Sequence, residues 1–144
     1  MSSVVMTREE REAFLSEIHI GVLAVERPGR APLAVPLWYD YTPGGDVLIL
    51  VNKDSLKFGL IRQAGRLTLV VQREEWPYAY VSVEGPVVND EDEVPTDEVA
   101  MNVVRRYLDE PDARSYVDQA LTPERARLIR MRPDKWLSND QTKA

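Results

Sequence analysis

The sequence lacks cysteine altogether, and its 144 residues include a single histidine, His19. Without cysteine there is no disulfide framework and no thiolate for metal binding or nucleophilic catalysis. A metal site needs several ligands, and His19 has no second histidine or cysteine to join it. The acidic run at 90–93 lacks the glycine and the spacing of a calcium loop. We therefore expect no metal site, and we interpret His19 as an exposed or helix-capping side chain.

Long apolar runs and an excess of positive charge are missing as well. No uninterrupted apolar run approaches the roughly 18 residues that cross a bilayer, and the first residues are not followed by an apolar signal-peptide core. The formal net charge is −6, from 18 basic and 24 acidic side chains, whereas nucleic-acid binding needs a basic face. We therefore expect a cytoplasmic protein that binds neither nucleic acid nor membrane, although a local basic pocket remains open.

Short apolar runs rich in β-branched residues alternate with turn signals, and this pattern predicts a strand-rich chain. Thr7 and Glu10 form a capping box that starts a first helix. The whole pattern predicts the mainly β class, a β-barrel with a few helices, in one domain over 1–144 with flexible ends at 1–6 and 139–144. The expected helices are 8–16, a short one after Ser55, 97–108 and 111–120, and the expected strands are 18–26, 33–41, 47–51, 67–72, 78–88, 125–132 and 135–138.

The segment at 46–62 carries the clearest functional signal. A buried strand over 47–51 is followed by a polar break and by Ser55, which has the character of a helix N-cap. A helix start offers unpaired backbone N–H groups and the positive end of a dipole. Together with the Ser55 hydroxyl and the ammonium groups of Lys53 and Lys57, it would form a phosphate cradle. The alternative is an ordinary cap with solvated lysines.

Two further strands carry candidate ligand contacts. Pro36 lacks a ladder donor and marks a strand edge or bulge, and nearby Trp38 is either a core side chain at a bend or part of a ligand groove. Tyr78, Tyr80 and Ser82 share one face of their strand. That face would meet a ligand, a second subunit or water.

Five segments, in order along the chain, resemble the flavin-reductase-like split-barrel family that includes pyridoxamine 5′-phosphate oxidase and the deazaflavin-dependent reductases. The segments are 20–25, 32–39, 54–62, 80–85 and 132–136. The resemblance implies a split β-barrel of the FMN-binding type, a homodimer, and a cofactor in a groove between the subunits. Its phosphate would be held after the third strand, and a C-terminal aromatic side chain would lie near its ring. The candidate cofactor-binding residues are Asn52, Lys53, Ser55, Lys57, Pro36, Trp38, Tyr78, Tyr80 and Trp136.

The same resemblance implies an oxidoreductase that transfers hydride to or from a small molecule, with no catalytic side chain identified. Coenzyme F420, a deazaflavin, is favoured over FMN for three reasons. The chain is short, and its 37–39 segment looks like that of the deazaflavin branch. In addition, 14 of its 18 basic residues are arginine, which suggests a GC-rich genome, where this cofactor is commoner. Lys53, Lys57 and Arg62, with Arg73, would form a basic track for the charged tail of F420.

Two alternatives stay open. The first is an FMN-dependent enzyme of the pyridoxamine-phosphate-oxidase type, although residues 135–140 replace the Arg- and Trp-rich C-terminal motif of the larger oxidases. The second is a protein that binds a flavin, haem or tetrapyrrole without turnover, for which His19 gives weak support as a haem ligand.

Overall fold

The computed structural model describes residues 3–144 and consists mainly of antiparallel strands. The strands are β1 (Gly21–Arg27), β2 (Arg30–Leu37), β3 (Tyr39–Asp40), β4 (Val47–Asn52), β5 (Arg66–Arg73), β6 (Ala79–Pro86), β7 (Ala126–Met131) and β8 (Lys135–Asp140). The helices are α1 (Arg8–Ser16), α2 (Leu56–Ala64), α3 (Asp97–Val104) and α4 (Glu110–Ala120), and a 3₁₀ turn follows at Gln141–Lys143. Among the described residues, no helix is both long and apolar enough to cross a membrane.

The strands form two sheets around a shared core. The larger sheet has the order β2-β1-β5-β6-β8, and the smaller one has the order β3-β4-β7. Alternate side chains of β1, β5 and β6 point inward and meet those of β4 and β7, so that Leu23, Leu69, Val81, Ile49 and Ile129 are fully buried. The predicted mainly β class is confirmed.

The second predicted strand is in fact two strands in different sheets. The chain leaves the larger sheet after Leu37 and enters the smaller one at Tyr39, with Trp38 at the break. Trp38 packs on a second, smaller hydrophobic cluster formed by α3 and α4. The expectation of one continuous strand over 33–41 was therefore wrong, because packing against these distant helices turns the chain at Trp38.

The ends of several other elements also differ from the sequence-based expectation. Strand β6 ends at Pro86, and α3 ends at Val104. Residues 139 and 140, predicted to lie in a flexible tail, continue β8 and pair with Tyr80 and Ala79. The N-terminal part of the flexibility prediction falls partly on residues 1 and 2, which lie outside the described residues.

Gly85 allows the connection between β7 and β8 to cross β6 at contact distance. Gly85 lies within β6 and pairs in regular register with Leu67. A Cβ atom on Gly85 would lie 1.8 Å from the Arg132 carbonyl oxygen. The chain between β7 and β8 crosses β6 at this point, held by hydrogen bonds from Arg132 N to Pro86 O and from Asp134 N to Glu84 O. The glycine is therefore needed for this crossing.

Candidate functional site

The predicted helix cap after β4 is present. Asn52 ends the strand, and its Oδ1 accepts a hydrogen bond from the backbone N–H of Asp54 at 2.8 Å. The Ser55 hydroxyl accepts a bond from Phe58 N at 3.3 Å and donates to Asn52 O at 2.7 Å. It therefore caps α2, as predicted. Because its proton already has an acceptor, a bound phosphate would have to compete with Asn52 O for it.

Lys57 lies in the first turn of α2 and lines a cavity of about 240 Å³, which we call the groove cavity. Lys57 is the only charged residue among those that line this cavity, and it forms no ion pair within residues 3–144. An ammonium group beside an apolar wall attracts an anionic group of a mostly apolar ligand. The other lining residues are Pro36, Leu37, Trp38, Leu50, Val103, Val104, Tyr116 and Leu121.

Trp38 is held rigidly in the wall of this cavity. Its ring stacks on Tyr107 with a centroid distance of 5.0 Å and an interplanar angle of 6°. On another side it meets Tyr116 of α4 at 5.2 Å. The Tyr107 hydroxyl is fixed in turn by donating to His19 O at 2.8 Å. Trp38 is thus a packed side chain at a bend that also lines the groove cavity, and its role toward a ligand stays a prediction.

The groove cavity brings together Pro36, Trp38 and Lys57 among the sequence-based candidates. Asn52, Lys53 and Ser55 adjoin it through the start of α2 but do not line it.

Arg125, which no sequence pattern indicates, lies beside Asn52 and Lys53. Lys53 N donates to Arg125 O at 2.8 Å, and Asn52 pairs with Ala126 across β4 and β7. Arg125 is exposed, and its backbone lies next to that of Lys53. The pairing of β4 with β7, more than 70 residues apart along the chain, is what places it there, and no local pattern indicates that pairing.

Arg62 and Arg73 do not join Lys53 and Lys57 in a basic track for the cofactor tail. The expectation that they would do so was wrong. Arg62 donates to Asn89 O at 2.7 Å and to Asp90 O at 2.9 Å, so it anchors the acidic loop. Partial burial lowers the pKa of Arg62. Arg73 donates to Pro77 O at 2.8 Å and contacts Asp140. Both guanidinium groups are therefore committed to holding loops.

Tyr78 and Tyr80 lie on the outer face of the larger sheet, apart from the groove cavity. The expected alternation holds, because Ala79, Val81 and Val83 are buried while Tyr80 is exposed. Tyr78 is 54% exposed and makes an edge contact with the exposed Trp76 at 5.3 Å between ring centroids. Within a single chain these rings do not contact the residues at the start of α2, Asn52, Lys53, Ser55 and Lys57.

Trp136 lies on the opposite face from Tyr80. It pairs with Val83, whereas Leu137 pairs with Ser82 and therefore shares the outer face. The Trp136 ring packs toward α1, with the guanidinium carbon of Arg11 4.7 Å from its centroid. The C-terminal side chain that shares the outer face with Tyr80 is thus Leu137, and Trp136 lines a different cavity.

His19 is largely enclosed, since its side chain is 11% exposed. Its Nε2 lies 3.1 Å from Phe14 O at the end of α1 and 3.3 Å from a carboxylate oxygen of Glu17. The ring also stacks on Phe14 at 4.7 Å. The capping interpretation fits this geometry and the exposed one does not. No group of three or more metal-ligating side chains was found in residues 3–144.

Solved structures with the same architecture support this description of the fold. A conserved protein from Mycobacterium tuberculosis is 23% identical, with a TM-score of 0.77, over 98% of this chain and 89% of that one. An F420 reductase is 23% identical, with a TM-score of 0.70, over 88% and 94%. A Listeria innocua protein assigned as a pyridoxamine 5′-phosphate oxidase is 11% identical, with a TM-score of 0.67, over 91% and 96%. No family model and no curated protein matches the chain.

The chain therefore has the split-barrel fold of the pyridoxamine 5′-phosphate oxidase-like proteins, and the predicted resemblance is confirmed at the level of the fold. All of these identities are below 25%, and a fold hosts many activities. The function has to be argued from the site.

Proposed function

We propose that this protein is a homodimeric split-barrel oxidoreductase that binds coenzyme F420, or FMN, and transfers hydride to or from a small molecule. The observation that carries the proposal is the groove cavity, in which Lys57 faces an apolar wall containing Pro36 and Trp38 beside the start of α2. The similarity in fold to an F420 reductase supports it further.

The groups around the start of α2 fit a phosphate ester. Lys53 and Lys57 provide positive charge, and the first turn of a helix provides N–H groups without intrahelical partners. Ser55 provides a hydroxyl whose present acceptor, Asn52 O, is 2.7 Å away. In this proposal Lys53, Ser55 and Lys57 hold the phosphate next to Asn52, and Pro36 and Trp38 flank the ring.

When bound, the flavin or deazaflavin ring supplies the hydride chemistry, and the protein supplies binding, orientation and exclusion of water. Trp38 is suited to orientation because its stack with Tyr107 fixes one wall of the cavity. Leu50, Val103 and Val104 provide apolar surface that keeps water away from the ring. No side chain is assigned as an acid or base.

A second subunit would complete the site. The groove cavity of about 240 Å³ is smaller than the roughly 300–1,000 Å³ of typical ligand pockets. The outer face of the larger sheet exposes Ile20, Val22 and Leu137, the last at 63%, and exposed apolar surface of this kind marks an interface. Tyr78 and Tyr80 share this region, so a two-fold dimer would bring them toward the ring of a shared cofactor.

A direct titration tests the proposal. Purified protein is mixed with F420 and with FMN at physiological salt, and binding is followed by fluorescence. We expect both to bind and F420 to bind more tightly, because its tail carries additional carboxylates that Lys53 and Arg125 attract. Tighter binding of FMN would favour the FMN enzyme, and no binding of either would overturn the proposal.

Charge reversal separates the two cofactors. Lys53→Glu should weaken F420 binding more than FMN binding, because the exposed Lys53 would attract the tail carboxylates of F420 in addition to the phosphate that both cofactors share. The loss should shrink as salt is raised, because exposed charges are screened over roughly 8–10 Å at physiological ionic strength. Lys135→Glu, on exposed β8 surface, is the matched control and should leave the F420 to FMN ratio unchanged.

A further inference from the structure

A second cavity lies at the other end of β4, between α1, the turn before β4 and the connection from β7 to β8. Its volume is about 370 Å³, and it takes no part in the proposed cofactor site. We call it the Arg11 cavity. Its lining residues are Arg8, Arg11, Glu12, Tyr41, Gly44, Gly45, Asp46, Arg132, Pro133, Asp134 and Trp136.

The unusual feature of this cavity is the guanidinium group of Arg11. Among residues 3–144, three arginines, Arg11, Arg62 and Arg106, have a buried Nε atom without a hydrogen-bond partner. The terminal nitrogens of Arg62 donate to backbone carbonyls, and those of Arg106 do the same. Within residues 3–144, Arg11 makes no such bond, and its guanidinium contact is the face of Trp136 at 4.7 Å.

An arginine is always charged and has five N–H donors. Partial burial of such a group without a hydrogen-bonded acceptor is costly. Stacking on Trp136 satisfies the flat face of the guanidinium but leaves the donors at its edge free. Those donors match the paired oxygens of a carboxylate or a phosphate, which arginine binds in a forked, two-bond geometry.

The acidic residues of the cavity are of two kinds. Glu12 is already occupied, since it accepts bonds from Arg8 Nε at 3.3 Å, Tyr41 OH at 3.2 Å and Gly44 N at 2.9 Å. These bonds lower its pKa against the effect of burial. Asp46 and Asp134 also line the cavity, whose two other cations are Arg11 and Arg132. Their charge disfavours a polyanion and leaves room for one compact anionic group.

We propose that the Arg11 cavity binds a compact oxyanion, a carboxylate or a phosphate group, with Arg11 as its principal ligand and Arg132 as a second cation. Trp136 positions the Arg11 guanidinium group by stacking on its flat face. This gives Trp136 a role away from the cofactor ring. The proposal is independent of which cofactor the groove cavity takes.

The test uses two-dimensional NMR of the full-length protein. The Arg11 Nε–H and Trp136 indole N–H signals are followed while sodium acetate or sodium phosphate replaces sodium chloride at constant ionic strength. We expect saturable shifts of both signals with at least one of the two anions, and comparison of the two titrations shows which oxyanion the site prefers. Shifts that rise linearly without saturation for both anions would overturn the proposal.

Variants identify the ligand residue. Arg11→Gln should weaken the bound anion by at least 10-fold, read from the Trp136 signal, whereas the control Arg30→Gln on exposed β2 should leave its affinity unchanged. If Arg11→Gln does not fold, Arg132→Gln replaces it, because this side chain is exposed; we expect a several-fold loss. Affinities equal to wild type in the folded Arg11 variant, or in the Arg132 variant used in its place, would overturn the assignment.

Discussion

At the scale of single residues, the position of Lys57 decides the proposed cofactor site. Lys57 lines a cavity whose other lining residues are uncharged. Lys57→Ala should therefore weaken F420 binding by about 10- to 150-fold, the range expected for a charge-assisted hydrogen bond of about 1.5–3 kcal/mol. Fluorescence titration measures the change. Ser55→Ala should cost less, because its proton already serves Asn52 O. If the Lys57 variant binds F420 with wild-type affinity, Lys57 is not part of the cofactor site.

Residues with local partners were the predictable ones. Thr7 and Ser55 were recognised as helix caps because the backbone groups they bind lie three residues away in sequence. Arg62 was misassigned because its acceptor Asn89 O lies 27 residues further on, in a loop whose position depends on the assembled sheets. Sequence patterns therefore identified the start of α2 and misjudged which cations remain free around it.

At the scale of elements, helix α1 matched its expected bounds because its capping box is a short-range feature. Strand β2 did not, because the break at Trp38 is set by stacking on Tyr107, which is 69 positions further along the chain. Periodicity shows that a segment is extended, but it does not show which sheet the segment joins. Tertiary packing decided that point, and with it the shape of the groove cavity.

Two glycines at different places in these elements should respond oppositely to alanine. Gly85→Ala places a Cβ atom 1.8 Å from Arg132 O, so the crossing of β6 must open; we expect a loss of about 3 kcal/mol or more in unfolding free energy. A Cβ atom on Gly59, within α2, would have no neighbouring atom within 4 Å. Gly59→Ala should therefore raise the free energy of unfolding by about 0.5–1 kcal/mol. Urea denaturation measures both. A stable Gly85 variant would contradict the tight crossing.

At the scale of the whole molecule, the exposed apolar residues on the outer face of the larger sheet lead us to expect that two copies of the chain associate. We expect sedimentation at micromolar concentration to give a dimer of two 16.4 kDa chains. Leu137→Glu should shift the population to monomer, because it places charge on an exposed apolar face. The control is Val94→Glu, an exposed valine in the loop before α3. A wild-type monomer would contradict both the dimer and the shared groove.

The fold should also be sensitive to acid. The hydrogen bond from Lys143, with the capping bonds of Thr7, lowers the pKa of Glu10 from 4.5 to about 2. Bonds from Arg130 and Arg114 lower the pKa of Glu93 and of Asp97. A carboxyl with a depressed folded-state pKa stabilises fully above its unfolded value and loses that contribution as pH falls toward its folded value. Urea midpoints should therefore fall from pH 4.5 to pH 2, and Glu10→Gln should flatten the decline.

The second hydrophobic cluster has a consequence for how the molecule opens. Helices α3 and α4 pack on each other through Ala100, Met101, Val104, Ala113 and Val117, and they meet the sheets mainly through Trp38 and Leu50. Such a unit can unfold locally while the main core stays intact. We expect amide hydrogens of α3 and α4 to exchange with deuterium faster than those of β5 and β6. Because these helices form one wall of the groove cavity, a bound cofactor should slow their exchange, which would link the breathing of the helical pair to ligand entry and release.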